Sequence, residues 1–151
     1  MSAQLAEVLP LNVTAPRGLI LHVEDDDSLR RSTSMLLRLA GFDTREAASG
    51  EQALSQADHL RGKLDVLIVD YHLGNGLTGT EVAEEFARLL GHAVPTVMLT
   101  GDPANAEMPW LSDAPVWIAR KPLAPDTLLA ALPALVDFRR AVTAATPRRA
   151  G

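Results

Sequence analysis

The sequence predicts an α/β domain built on a parallel β-sheet. Short apolar runs alternate along the 151-residue chain with stretches of helical periodicity, a pattern typical of parallel strand–helix–strand units with right-handed crossovers. The run Val66–Val69 is uninterrupted and mostly β-branched, as expected for a strand buried on both faces. It ends in Asp70, at the carboxyl end of a strand, where open α/β sheets place their sites. We therefore expect Asp70 to be the chemical centre of the molecule.

Four further apolar runs are predicted to complete the sheet. Their bounds are Gly18–Val23, Phe42–Ala47, Pro95–Thr100 and Val116–Ala119. With the run ending at Asp70 they make five strands, which suit a flavodoxin-like doubly wound sheet of order 2-1-3-4-5. In that order the first and third strands are neighbours. The acidic residues 24–27, which follow the first strand, should therefore lie beside Asp70.

The helices are predicted from apolar positions that recur every three or four residues. These stretches are 29–40, 53–60 behind a capping-box pattern at 49–52, 80–90 and about 125–140. Asp26 or Asp27 is the expected N-cap of the first helix, and Gly41 ends it. Pro133 lies inside the last helix and should kink or split it, because proline lacks the backbone N–H that a helix interior needs.

Some segments fall outside the regular pattern. Residues 101–115 contain three prolines and little helical periodicity, which predicts an irregular fourth helix: a single turn or an ordered loop around Trp110. We interpret residues 1–16 as an N-terminal extension, 17–142 as the domain and 143–151 as a C-terminal tail. That tail is expected to be too short for a further effector domain.

Composition narrows the class of protein. Hydrophobic residues make up 47% and charged residues 22% of the chain, as in soluble globular domains. The net charge of −5 argues against direct binding of nucleic acid, and no apolar run approaches the roughly 20 residues that span a bilayer. Met1–Leu11 contains Glu7 and no early Lys or Arg, so it does not resemble a secretory signal. We expect a cytoplasmic protein without membrane contact.

The polar residues at the strand ends suggest phosphoryl chemistry. Asp70 and the acidic residues 24–27 crowd one rim, where like charges would disfavour joint ionisation without a cation. Oxygen ligands without cysteine or a histidine pair select a hard divalent ion such as Mg²⁺. Thr100 and Lys121 end the fourth and fifth strands on the same rim and indicate a phosphate-like anion. Phosphoryl transfer to a carboxylate, giving an aspartyl-phosphate, uses all of these groups.

Four motifs then make a family resemblance plain. They are Ile20–Asp26, Val69–Leu73, Val97–Gly101 and Lys121–Pro122. In order and approximate spacing they resemble the signatures of receiver domains of two-component response regulators, over about residues 17–141. The sequence Asp-Tyr-His-Leu from Asp70, followed by Thr-Gly, resembles in particular the receivers attached to hybrid histidine kinases.

That resemblance implies a role for each motif residue near the acceptor. Asp70 would be the phosphoacceptor and a ligand of Mg²⁺. Asp25 would bind the ion directly, and Glu24 through water. His72 would contribute its backbone carbonyl, and its ring would take no part.

The resemblance also implies a switch at the other two strand ends. Thr100 would bond the phosphoryl oxygens and rearrange on activation, and Lys121 would pair with the phosphoryl group, with a cis bond to Pro122. The aromatic switch position of the family falls on Ile118, with Trp117 adjacent. Gly74 departs from the pattern as well, because many receivers have proline there.

The implied function is phosphorelay signalling by a phosphoacceptor that is not a turnover enzyme, although autodephosphorylation is compatible with it. The phosphoryl donor would be a histidine kinase or a phosphotransfer protein, and a homodimer or a kinase domain in cis are further partners that the resemblance allows. One alternative is a receiver-like interaction module that works without phosphorylation, which Gly74, Ile118 and the segment 101–115 leave open. A remote alternative is a Mg²⁺-dependent phosphatase with an aspartyl nucleophile. That class needs a second Asp at position 72, where this chain has His.

Overall fold

The structure, a computed structural model, describes residues 15–106 and 114–145, with side chains described to Val142. The turn expected around Trp110, most of the N-terminal extension and the end of the C-terminal tail therefore lie outside the described residues. No helix among the described residues is long and apolar enough to cross a membrane.

Within the described residues, five parallel strands form the sheet. They are β1 (Leu19–Val23), β2 (Asp43–Ala47), β3 (Val66–Asp70), β4 (Thr96–Thr100) and β5 (Val116–Arg120). Their order is β2-β1-β3-β4-β5, which confirms the predicted flavodoxin-like sheet. The pairing aligns Val23 with Val69, Asp70 with Leu99 and Thr100 with Arg120. The carboxyl ends of the four strands β1, β3, β4 and β5 consequently share one rim.

Helices cover both faces of this sheet. They are α1 (Asp27–Leu39), α2 (Gly50–Leu54), α3 (Ala57–Leu60), α4 (Gly79–Leu90) and α5 (Pro125–Ala145), with a 3-10 turn at Pro103–Asn105. All five residues of β3 are buried. Leu67 and Val69 pack into the core under α2, α3 and α4, whereas Val66 and Ile68 pack into the core under α1 and α5. The central strand is thus buried on both faces, as its composition predicted.

One helix prediction was wrong. The helix expected to run on to Leu60 is interrupted at residues 55 and 56, where Gln56 N–H donates to Ala53 O at 3.0 Å, a tighter turn than an α-helix makes. The Gln56 side chain also donates to Glu46 O at 3.0 Å and so anchors this turn to β2. Of the two outcomes expected at Pro133, a kink or a split, the split does not occur, because the last helix is continuous and extends past Arg140 to Ala145. Buried Leu128, Leu132, Leu135 and Val136 lie on both sides of the proline in one core, and their packing outweighs the missing hydrogen bond.

The helix caps refine the predicted starts. Asp26 is the N-cap of α1 and accepts a hydrogen bond from Leu29 N–H at 3.0 Å. Ser49 is the N-cap of α2. The side chain of Gln52 accepts a hydrogen bond from Ala48 N–H and not from Ser49 N–H, so the predicted capping box is incomplete. A complete capping box forms instead at Thr78 and Glu81, where α4 begins. This box fixes the end of the loop that starts at Asp70.

The two edge strands of the sheet differ in character. β2 carries charged Asp43, Arg45 and Glu46, and Arg45 pairs with Asp43 at 2.7 Å. β5 is apolar at its start, where Val116, Trp117 and Ile118 are half-buried. Among the described residues, the β2 edge is therefore the more highly charged of the two.

Candidate functional site

Three carboxylates meet where β1 and β3 end. Glu24 and Asp25 directly follow β1, Asp70 is the last residue of β3, and one oxygen from each lies within 4.8 Å of the others. Glu24 is only 1% exposed and Asp70 only 2%, while Asp25 is exposed to solvent. The sheet order produces this cluster, because it makes β1 and β3 neighbours although the residues are far apart in sequence.

A single lysine bridges the two buried carboxylates. Lys121 directly follows β5, and its Nζ lies 2.6 Å from Asp70 Oδ2 and 3.3 Å from Glu24 Oε1. Its backbone N–H donates to Thr100 O at 2.9 Å, which ties it to the end of β4. The Lys121–Pro122 bond is cis, as the resemblance implied. One ammonium group faces three carboxyl groups, so the pocket has an excess of negative charge.

This excess shifts the pKa values of the two buried acids in opposite directions. Burial raises the pKa of Asp70 to about 8, and the neighbouring Glu24 carboxylate adds to this by stabilising a proton on Asp70, while Lys121 opposes it. Burial alone would raise the pKa of Glu24 as well. Hydrogen bonds involving Asp70, Asp26 and Asp25, together with the charge of Lys121, outweigh burial and hold it at about 2. Without a cation, burial and the proximity of the two carboxyl groups therefore oppose the ionisation of both at once.

One oxygen of Asp70 is left without a partner. Its Oδ2 accepts the hydrogen bond of Lys121, whereas buried Oδ1 accepts none from any of the described residues. An unsatisfied buried acceptor costs about 1–3 kcal/mol. Such an oxygen, next to two further carboxylates and with no sulfur or imidazole ligand in the cluster, fits a hard divalent cation such as Mg²⁺. The residues present are therefore compatible with the ion that the sequence suggested.

Thr100 lies on the same rim, but its hydroxyl points to its own loop. The side chain is buried, and Oγ1 accepts the N–H of Asp102 at 3.1 Å. This bond orients the start of the turn Pro103–Asn105, because Asp102 O in turn accepts from Asn105 N–H. The sheet brings Thr100 near the carboxylates, and its hydroxyl accepts from a local partner while keeping its own hydrogen to donate.

The two residues at the expected switch position face opposite sides of the sheet. Ile118 packs against the core under α4, whereas Trp117 packs against the core under α1 and α5. Trp117 therefore cannot replace Ile118 on the same face without a change of register. The position that carries an aromatic residue in the family pattern is here aliphatic and half-buried.

The loop after Asp70 explains two other features of the sequence. The exposed ring of His72 packs edge-on against Tyr71, with centroids 4.9 Å apart, and lies outside the acidic cluster. Gly74 has a φ of +73°, which the fixed negative φ of proline could not adopt. The glycine at this position thus matches the conformation of this particular loop.

Comparison with protein families identifies the family of the domain that contains this site. Residues 20–133 match the family model described as the response regulator receiver domain, which covers well over half of the chain. The chain belongs to the response regulator receiver family. Receiver domains of this family bind Mg²⁺ at an acidic pocket, and here the acidic cluster is Glu24, Asp25 and Asp70.

Individual relatives agree with this assignment. The receiver domain is 36% identical over 116 residues to the DNA-binding response regulator MtrA of Mycobacterium leprae, a match that covers 76% of this chain and 49% of the relative. It resembles the solved receiver domain of the hybrid histidine kinase CckA with a TM-score of 0.65 and 30% identity, covering 79% of this chain and 99% of that one. The chemotaxis response regulator CheY4 of Vibrio cholerae matches with a TM-score of 0.66 and 30% identity, covering 81% and 99%. The matched regions cover from 17% to 49% of the length of the curated relatives.

Sequence reasoning missed two residues that shape the pocket of this receiver domain. Arg30 of α1 donates to Glu24 O at 3.0 Å, and Gly79 opens α4 against the backbone of Asp70. In the sequence, Arg30 is one of several charged residues of a predicted helix. No local pattern indicates that it contacts the Glu24 carbonyl. Gly79 follows Thr78 in the Thr-Gly pair already noted, so its position was visible although the reason for it was not.

Proposed function

We propose that this receiver domain accepts a phosphoryl group on Asp70 and uses it to switch a protein-interaction surface. The observation that carries the proposal is the buried and unpartnered Asp70 Oδ1, which lies beside Glu24 and Asp25 and opposite the oxygen held by Lys121. The carboxylate oxygen would attack the phosphorus of a phosphohistidine. An O–P bond forms, the N–P bond breaks, and the imidazole that leaves takes a proton from solvent.

The residues around Asp70 have distinct tasks in this proposal. Asp25 and Asp70, with Glu24 through water and the backbone carbonyl of His72, would hold Mg²⁺. The ion supplies positive charge that neutralises the phosphoryl oxygens. Lys121 keeps its ammonium against the acceptor and offers it to the phosphoryl group. The hydroxyl of Thr100 turns from Asp102 N–H to a phosphoryl oxygen. Ile118, on the neighbouring strand β5, rearranges in response.

We assign the donor to the class of histidine kinases and phosphotransfer proteins, because the family operates in two-component systems. Residues 17–142 would be the receiver unit, and the site would work in the cytoplasm. The product is a modified protein and not a released compound, so the domain would not be a turnover enzyme.

The proposal is tested with a small phosphodonor. Acetyl phosphate with Mg²⁺ should add one phosphoryl group to the wild-type chain, detected by intact mass, and Asp70→Asn should abolish the addition. Asp58→Asn is a matched control, because Asp58 is an exposed carboxylate on α3 and its loss should leave labelling unchanged. A chelator should suppress labelling of the wild type. Undiminished labelling of Asp70→Asn would contradict the assignment of the acceptor.

A second candidate function follows from Ile118. If the aliphatic residue cannot transmit the change, the domain binds its partner equally well in both states and acts without phosphorylation. Binding of the partner, measured with and without phosphodonor and Mg²⁺, separates the two functions. An unchanged affinity in a chain that is fully labelled at Asp70 would favour the second.

A further inference from the structure

One arginine connects the acidic loop to the edge of the sheet. The side chain of Arg30 is only 12% exposed and has three partners. Its Nη1 donates to Glu24 O at 3.0 Å, its Nη2 donates to Asp27 Oδ1 at 2.7 Å, and its Nε lies 3.5 Å from Glu46 Oε1 on β2. A guanidinium group can make these bonds at once, because its donors diverge from one rigid plane.

The bond to the carbonyl of Glu24 is the important one. This carbonyl belongs to the peptide unit that joins Glu24 to Asp25, so its direction sets how the two side chains leave the backbone. The N–H on the other side of Glu24 donates to Ala47 O of β2 at 3.0 Å. Glu24 is therefore fixed on both sides by β2, once directly and once through Arg30 and Glu46.

We propose that Arg30 is a positioning residue for the acid pair, which holds the Glu24–Asp25 peptide plane so that both carboxylates face the divalent cation. This inference rests on the proposed function of the pocket. It adds to the pocket a residue, Arg30, that does not belong to the three carboxylates. Arg30 touches neither the acceptor nor the phosphoryl group. It acts through the backbone of Glu24.

Charge and positioning predict opposite effects for the loss of Arg30. A positive charge near a cation site repels the cation, so its removal alone would strengthen Mg²⁺ binding. The loss of a group that orients the ligands weakens binding instead, typically about 10-fold or more. The sign of the change in Mg²⁺ affinity therefore distinguishes the two roles.

The experiment compares Arg30→Gln and Arg30→Lys with Arg38→Gln in the full chain. Arg38 is a matched control on the same helix, since it also reaches Glu46, at 3.1 Å, and a backbone carbonyl of β2, Thr44 O, at 2.9 Å, but it does not contact the acidic loop. Calorimetric titration with Mg²⁺ should show about 10-fold weaker binding for Arg30→Gln. Binding by Arg30→Lys should be weakened to a lesser extent, because an ammonium group can still donate one hydrogen bond to Glu24 O, although it lacks the planar set of donors of arginine. Arg38→Gln should bind like the wild type, and circular dichroism should show that all three are folded. Unchanged or tighter binding by Arg30→Gln, or an equal loss in Arg38→Gln, would overturn the proposal.

A second measurement does not depend on the metal. In metal-free protein, the amide of Asp26 donates to Glu24 Oε2 at 3.2 Å and so reports the orientation of that side chain. Arg30→Gln should shift the NMR signals of the Asp25 and Asp26 amides and accelerate exchange of the latter, while Arg38→Gln leaves both unchanged. Unaltered signals in Arg30→Gln would refute the positioning role even if the wild type proved not to bind Mg²⁺ or to accept phosphate, which would count against the proposed function alone.

Discussion

Asp70 and His22 are buried titratable residues whose pKa values are shifted in ways that affect stability. Burial raises the pKa of Asp70 from 3.8 to about 8, with a further contribution from Glu24. Burial lowers the pKa of His22 from 6.5 to about 4, because the charged imidazole is disfavoured away from water. His22 lies on β1 with its Nδ1 3.5 Å from the hydroxyl of Ser34. Its environment therefore favours the neutral ring, and we assign it a packing role.

These two shifts have opposite consequences for the free energy of unfolding. Between about pH 4 and 6.5 the unfolded chain binds a proton at His22 that the folded protein does not, so stability rises with pH in this range. The raised pKa of Asp70 has the opposite sign. The folded protein binds the proton there, and that contribution is lost as the pH rises from 3.8 towards 8. The two effects oppose each other below pH 6.5, and above it only the loss at Asp70 continues.

We therefore predict that metal-free protein loses stability between about pH 6.5 and 8. The expected slope approaches ~1.4 kcal/mol per pH unit, the value for one proton. Urea denaturation in the presence of a chelator measures it. Asp70→Asn should remove the slope, because amide side chains do not titrate. Saturating Mg²⁺ should also remove it, since the cation keeps the carboxylate ionised. If Asp70→Asn shows the same slope as the wild type, another group is responsible.

The junction between β3 and α4 depends on a glycine that has no room for a side chain. Gly79 is the first residue of α4, and its N–H donates to Tyr71 O at 2.8 Å. A Cβ atom here would overlap the backbone oxygen of Asp70 and would lie 2.7 Å from Met98 Sδ. The close approach of α4 to β3 thus requires glycine because of space, since the φ of Gly79 is not positive.

Gly79→Ala should accordingly lower both stability and phosphorylation. Alanine is the better helix former, but forcing a methyl group into a packed site costs about 1–3 kcal/mol, and here the methyl group would push on the backbone of Asp70. The free energy of unfolding and the rate of labelling by acetyl phosphate are the two measurements. Gly101→Ala is the control for stability, because nothing lies within 4 Å of a Cβ at that glycine. If the free energy of unfolding of Gly79→Ala equals that of the wild type, α4 can shift away from β3 without loss of stability.

The strands were predictable from sequence to within about a residue, and the helix interruptions were not. Apolar runs such as Val66–Val69 indicate a strand directly, because a strand that is buried on both faces contains few polar residues. The break before α3 depends on Gln56 meeting Glu46 O on β2, a tertiary contact that local periodicity does not encode. The continuity of the helix at Pro133 is a related case, because proline disfavours a helix interior. Its local penalty was visible in the sequence, and the packing that offsets it was not.

At the scale of the whole molecule, the strand order places the site residues on both sides of Asp70. Asp70 stands on the central strand, the acid pair lies on its β2 side, and Thr100 and Lys121 lie on its β5 side. The motif residues could be found from sequence, since each ends a strand or follows one. The direction of the Thr100 hydroxyl and the partners of Arg30 could not, because both depend on the folded backbone.

We predict that phosphorylation is sensed on the β4–β5 side. If Thr100 turns to the phosphoryl group, Asp102 N–H loses its acceptor and should exchange faster with solvent. Hydrogen exchange, followed with Mg²⁺ and acetyl phosphate, should change at residues 101–106 and 116–121 and remain constant at 50–60, across the sheet. Asp70→Asn should show no change. A response confined to 50–60 would place the switch on the other side of the molecule.

The unequal edges of the sheet bear on how this protein behaves when it is heated or concentrated. Exposed strand edges invite strands of other molecules to add, and charged side chains such as those of β2 discourage this. β5 offers the apolar residues Val116, Trp117 and Ile118 instead, and no other strand among the described residues pairs on its outer side. Partial unfolding near β5 would thus expose an apolar strand edge to which other molecules can add, whereas fraying at β2 would expose a charged edge. Aggregation should begin at β5, and the reversibility of thermal unfolding should decline as the protein concentration rises.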